Sequence, residues 1–291
     1  MYYSYSVLSA ILIAFMVVVN GKLTGAYDIY SATVIIHIVG LVLISGIAAF
    51  KKERLFRISG LPLTLFLGGA IGVVTTLFNN IAFGKISVSA IIALCLLGQT
   101  VSALVIDEFG LFNMPVKKFN VGNLAGLLFA IVGVIWLLSG FVFLLLPVLF
   151  SLLTGVSIVI SRSVNALLAE KASVITSTWY NYAVGLIVAW IIFLIAGSIG
   201  VSSMPTKVSA NLWIYLGGVI GVFVVGLSNI STSKIPAFQM TLILFAGQML
   251  TGLALDILLS QAFSGRNLTG GILVTLGLYI NLWLEKWQSK R

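Results

Sequence analysis

The stretch GGAIGVVTTLFNNIAFGKISVSAIIALCLLGQTVSALVID, Gly68 to Asp107, returns without a gap as GGVIGVFVVGLSNISTSKIPAFQMTLILFAGQMLTGLALD, Gly217 to Asp256. At this offset of 149, 13 of 40 positions are identical, against about four or five expected by chance in so biased a composition. The polar identities carry the argument. Asn80/Asn229, Lys85/Lys234, Gln99/Gln248 and Asp107/Asp256 cannot follow from a shared preference for Leu and Val. A weaker match at offset 145 pairs Asn20 with Asn165, His37 with Tyr182 and Gly40 with Gly185. The chain therefore reads as two related halves, 1–140 and 141–291.

Outward from that repeat, the composition sets the solvent. Hydrophobic residues make up 60% of the 291 positions and charged residues 8%, where a soluble domain carries roughly 25% charge. Such a chain cannot cover a water-facing surface, so the relevant unit is the membrane span of about 20 apolar residues. Ten spans are expected, at about 5–22, 28–50, 61–83, 86–107, 121–140, 143–166, 173–197, 211–231, 235–256 and 267–286. The fold class is all-α integral membrane, five helices per half. Five is odd, so the second half enters the membrane from the opposite side. This is the inverted-repeat plan of many secondary transporters.

The net charge of +9 does not point to nucleic acid. Lys and Arg sit in short loops, twelve on one side (Lys51, Lys52, Arg54, Arg57, Lys117, Lys118, Arg162, Lys171, Lys234, Lys286, Lys290, Arg291) and four on the other (Lys22, Lys85, Lys207, Arg266). This bias places both termini in the cytoplasm of a cell-membrane protein. The first span has no basic residues before it and no small-residue cleavage site after it, so it reads as retained. One cysteine, Cys95, excludes a disulfide framework.

Gly98-Gln99 followed by Asp107-Glu108-Phe109-Gly110-Leu111-Phe112, with Asn20 ending the first span and Gly122 and Gly126 opening the fifth, resembles the YdcZ-like branch of the drug/metabolite transporter superfamily. The likeness covers nearly the whole chain. It implies ten helices as two inverted five-helix repeats, fused here, where some relatives are half-length chains that would pair antiparallel. Two departures stand out. Met16 and Ser161 occupy the place where the family usually has a Gln one turn before the Asn, and no Phe-Gly-Leu-Phe tail follows Asp256.

Polar groups inside spans are the candidate working parts, because an amide in hydrocarbon must find partners or cost a few kcal/mol. Gln99 and Gln248 approach the midplane from opposite sides; they either bond to each other or contact substrate. Asn20, Asn165, Asn80 and Asn229 are read as helix-end caps or as substrate ligands. His37, the single histidine, and its counterpart Tyr182 lie mid-span, His37 either carrying a proton or resting neutral on a neighbour. Gly68-x-x-x-Gly72 and Gly217-x-x-x-Gly221 form small faces for close helix packing. Arg162 reads as snorkelling to the interface rather than as an anion ligand.

Asp28, Glu53, Asp107, Glu108, Glu170, Asp256 and Glu285 all fall at helix ends or in loops. That disfavours proton-coupled antiport of cations and favours a neutral, zwitterionic or anionic cargo. Inversion places Lys85 with Asp256 on one side and Lys234 with Asp107 on the other, a possible pair of alternating gates. No metal cluster, nucleophile constellation or phosphate loop appears, so neither an enzyme nor a cofactor is expected. The expected function is a secondary transporter or facilitator of a small molecule, as monomer or homodimer in contact with lipid. A passive small-ion channel and a non-transporting scaffold remain as alternatives.

Overall fold

A computed structural model describes residues 1–56, 60–113, 144–203, 208–232, 234–235 and 237–258, with scattered residues at 116, 127–136 and 265–284. The expected spans at 121–140 and 267–286 lie mostly outside the described residues, as do Gly122 and Gly126. Among their described residues, Trp136 Nε1 donates to Thr269 Oγ1 at 2.8 Å.

The remaining eight expected spans are helices: α1 (Tyr2–Ala26), α2 (Ile29–Phe50), α3 (Leu67–Ala82), α4 (Val88–Phe109), α5 (Leu145–Lys171), α6 (Val174–Ser198), α7 (Leu216–Thr232) and α8 (Ala237–Leu258). Short 3-10 turns, Leu63–Phe66 and Leu212–Tyr215, lead into α3 and α7 at equivalent places of the repeat. Seven of the helical stretches are long and apolar enough to cross a membrane. The described residues form no β-strand, only one isolated bridge between Phe83 and Ile86.

The helix boundaries follow from caps. Asp28 Oδ1 accepts from Tyr30 N at 2.8 Å and Ser31 N at 2.9 Å, satisfying donors the helix start leaves free. Ser173 and Ser87 do the same for α6 and α4. Gly110, at φ 61°, ends α4 in the left-handed conformation that glycine adopts without a Cβ penalty. Within the spans, many hydroxyls bond the carbonyl one turn back, as Thr33 to Ile29 at 2.7 Å and Thr100 to Leu96 at 2.8 Å, which pairs those donors inside the hydrocarbon. Large apolar side chains such as Val42, Ile187, Ile191 and Leu194 face outward, as lipid contact requires.

Packing runs mainly between the halves. α3 packs on α5 and α6, and its equivalent α7 packs on α1 and α2; α4 meets α5 as α8 meets α1. The equivalent helices α2 and α6 lie against each other and run antiparallel. Trp179 Nε1 donates to Ser45 Oγ at 3.0 Å, Tyr182 lies on Gly40, and His37 lies on Gly185, so one number rises as the other falls. Their ends are tied alike. Glu53, after α2, accepts from Ser173 Oγ at 2.6 Å, and Ser203, after α6, accepts from Ser31 Oγ at 3.4 Å.

Glycines set these approaches. A Cβ on Gly69 would overlap the carbonyl oxygen of Asn181, and one on Gly218 would overlap that of Ile36, the residue 145 before Asn181. Gly68 lies on the Asn165 side chain and Gly217 on that of Asn20. The small faces thus seat α3 and α7 on the other half in the same way.

Candidate functional site

A cavity of about 150 Å³ lies where the two halves face each other, and all eight helices contribute to its wall. Its lining comes in equivalent pairs: Ile13 and Ile158, Asn20 and Asn165, His37 and Tyr182, Gly72 and Gly221. The wall includes α2 and α6, which supply Ile36, His37, Asn181 and Tyr182.

Two lobes build the wall. One is the packed group α3, α5 and α6, the other its equivalent α7, α1 and α2. At four equivalent pairs the first lobe is polar where the second is apolar: Thr75/Val224, Thr76/Val225, Ser161/Met16 and Asn181/Ile36. The first lobe is cross-linked by its polar groups. Thr75 Oγ1 donates to Ser157 Oγ at 2.8 Å, Ser161 Oγ to the Gly68 carbonyl at 2.8 Å, and Asn165 Nδ2 to Asn181 Oδ1 at 2.8 Å. In the second lobe Ile36 replaces Asn181, and Asn20 Oδ1 is left without a hydrogen-bond partner.

His37 is buried, its Nδ1–H donating to the Thr33 carbonyl at 2.8 Å and its ring centroid 5.7 Å from that of Tyr182. The Tyr182 hydroxyl donates to the Gly218 carbonyl at 3.4 Å. Of the expected polar residues, Asn20, His37, Gln99, Asn165, Tyr182 and Asn229 reach the cavity. Asn80 and Gln248 are buried outside its lining.

Three sequence readings need correction. Asn20 and Asn165 are not caps, because α1 runs on to Ala26 and α5 to Lys171, leaving both inside their helices. Gln99 and Gln248 do not bond to each other: Gln99 Nε2 donates to Cys95 Sγ at 3.5 Å, while Gln99 Oε1 and Gln248 Nε2 lack partners. Arg162 does not snorkel. It lines the cavity with 7% of its surface exposed, one Nη2 contact to Thr241 Oγ1 at 3.4 Å, and Nη1 without a partner. Among the described residues no carboxylate lines the cavity, and no group of three metal-ligating side chains occurs.

The family model described as "Putative inner membrane exporter, YdcZ" matches this sequence twice, over residues 1–136 and 146–280. The chain belongs to the YdcZ-like drug/metabolite transporter family. As a YdcZ-family chain it is a multi-pass inner membrane protein carrying both repeats in one polypeptide. A solved structure titled "Crystal structure of protein" has the same fold, with TM-score 0.68, 18% identity, and 98% of each chain covered. No curated protein matches the sequence. Within this YdcZ fold, the Lys85 and Lys234 side chains stand exposed in the turns before α4 and α8, and Asp107 is half-buried in the last turn of α4. The Asp256 side chain lies outside the described residues.

Proposed function

We propose that this YdcZ-family protein is a secondary transporter that carries a small metabolite outward through the cavity between its halves, by alternating access. The carrying observation is that a cavity inside a membrane protein of an exporter family is lined, with buried polar side chains among its residues, at equivalent positions of two repeats. The antiparallel contact of α2 with α6 supports an arrangement of ten helices as inverted repeats, and the bias of basic residues supports cytoplasmic termini. A scaffold needs a dry, fully packed interface, which the cavity counts against. Transport fits the absence of a lining carboxylate among the described residues if the cargo is neutral, zwitterionic or anionic.

Purified protein in liposomes is expected to take up members of a small-metabolite panel saturably. Gln99→Ala and His37→Ala should each cut that flux by about tenfold, the loss of one buried polar contact of roughly 1.4 kcal/mol. Flux unchanged in both variants places the pathway elsewhere. Flux that never saturates and ignores a counter-gradient identifies a channel instead.

The gates of this transporter are Lys85 with Asp256 on the outer side and Lys234 with Asp107 on the inner. Reversal of one charge, Lys85→Glu, should lower flux by about threefold, since an exposed pair contributes at most about 1 kcal/mol. Adding Asp256→Lys should restore it. A double variant no faster than the worse single one removes the gate.

A further inference from the structure

Among the described residues Arg162 is the one cation that lines the cavity. A guanidinium inside a membrane span is costly, and such residues mark ligand pathways. This one is buried, no carboxylate among the described residues lines the cavity to neutralise it, and its Nη1 has no hydrogen-bond partner. Its equivalent in the first half is Val17, so the charge enters from one lobe only. It stands on α5, the residue after Ser161, in the lobe whose wall also carries Thr75 and Asn181, and its Nη2 meets Thr241 of α8 at 3.4 Å. In the other lobe the lining positions equivalent to Ser161, Asn181 and Thr75 are Met16, Ile36 and Val224. Charge on one wall and hydrocarbon on the other define a ligand with two ends.

We propose that the cavity binds an amphipathic organic monoanion, its anionic head on Arg162 and its apolar body against Met16, Ile36 and Val224. This deepens the transporter reading and rests on it for the step of movement, though not for the step of binding. Among the described residues, a single lining cation and no lining carboxylate match one negative charge; a dianion would bury a charge with no partner, and a cation would face Arg162 directly. A planar guanidinium also presents paired donors to the oxygens of a carboxylate, sulfonate or phosphate diester.

Hexane-1-sulfonate is a suitable probe because it stays ionised and does not cross lipid as a neutral acid. Its binding to the purified protein in detergent is measured by equilibrium dialysis beside methanesulfonate (head alone), hexan-1-ol (body alone) and hexyltrimethylammonium (opposite charge). Hexane-1-sulfonate is expected to bind at least about tenfold more tightly than each of the others, a gap of about one buried charged contact. R162Q should lose that advantage, and R162K should retain part of it. Val224→Thr with Val225→Thr should weaken hexane-1-sulfonate while sparing methanesulfonate. Each variant is checked for a native elution profile and melting temperature.

If R162Q unfolds, the R162K and valine variants still decide. Hexyltrimethylammonium binding as tightly as hexane-1-sulfonate, or R162Q binding it unchanged, overturns the proposal. Binding that depends on Arg162 without any flux in liposomes upholds the monoanion site and sinks the transporter. Flux of uncharged solutes with no sulfonate binding upholds the transporter and sinks the monoanion site.

Discussion

Replacing Gly69 or Gly218 by alanine is expected to cost the protein about 2 kcal/mol or more of stability, although alanine is the better helix former. The sign is decided by comparing two terms. In the middle of a helix Ala is favoured over Gly by about 1 kcal/mol. Against this, the new methyl at Gly69 overlaps the Asn181 carbonyl oxygen and comes within 2.9 Å of Gly185 N; at Gly218 it overlaps the Ile36 carbonyl oxygen and comes within 2.8 Å of Gly40 N. These are backbone atoms of rigid helices, with no side chain free to swing aside, so a whole helix must move. Valine at either position should abolish the folded protein. Thermal unfolding followed by fluorescence-detected size exclusion measures the effect. Equal melting temperatures for G69A and wild type would show that α3 does not approach α6 so closely.

The repeat was legible because its identities are polar and polar residues are scarce in these spans, so Gln99/Gln248 or Lys85/Lys234 stand out from the Leu-Val background. The pairing of His37 with Tyr182 was equally visible. Their contact was not, since each meets a glycine of the opposite half, and no pattern within one half encodes packing between halves. Arg162 and Asn20 were placed too shallow for a common reason. The expected spans stop at 166 and 22, where charge or glycine signals an end, but the apolar run Ala166–Ala169 continues α5, and membrane helices tolerate glycines such as Gly21 and Gly25. An error of about one turn moves a side chain about 5 Å in depth. That distance separates snorkelling from lining a cavity. The asymmetry of the lobes was written in the sequence as Ser161 against Met16 and Asn181 against Ile36. It acquires meaning only once both lobes share a wall.

Gly72 lies three residues beyond Gly69 in α3, yet its substitution should spare the fold and stop the flux. A Cβ there would stand 3.6 Å from Asn181 Oδ1 and 3.9 Å from Ser161 Oγ, ordinary van der Waals contact. Gly72→Ala should therefore fold normally and, through helix propensity, gain a few tenths of a kcal/mol. Leucine at the same place projects three further carbons into a cavity of about 150 Å³ from the polar wall beside Ser161 and Asn181. The protein gains apolar contact with Met16 and Val224 across the space, so its melting temperature should hold or rise. A ligand, however, must now displace or strain that side chain at a cost of about 3 kcal/mol, which is roughly a hundredfold in affinity. Liposome flux of Gly72→Leu should fall by about that factor while Gly72→Ala stays within about threefold of wild type. The pair separates a steric block from a folding defect, because only the larger residue reaches the ligand. Undiminished flux through Gly72→Leu would mean that substrate does not pass between Thr75 and Val224, and the pathway would lie outside this cavity.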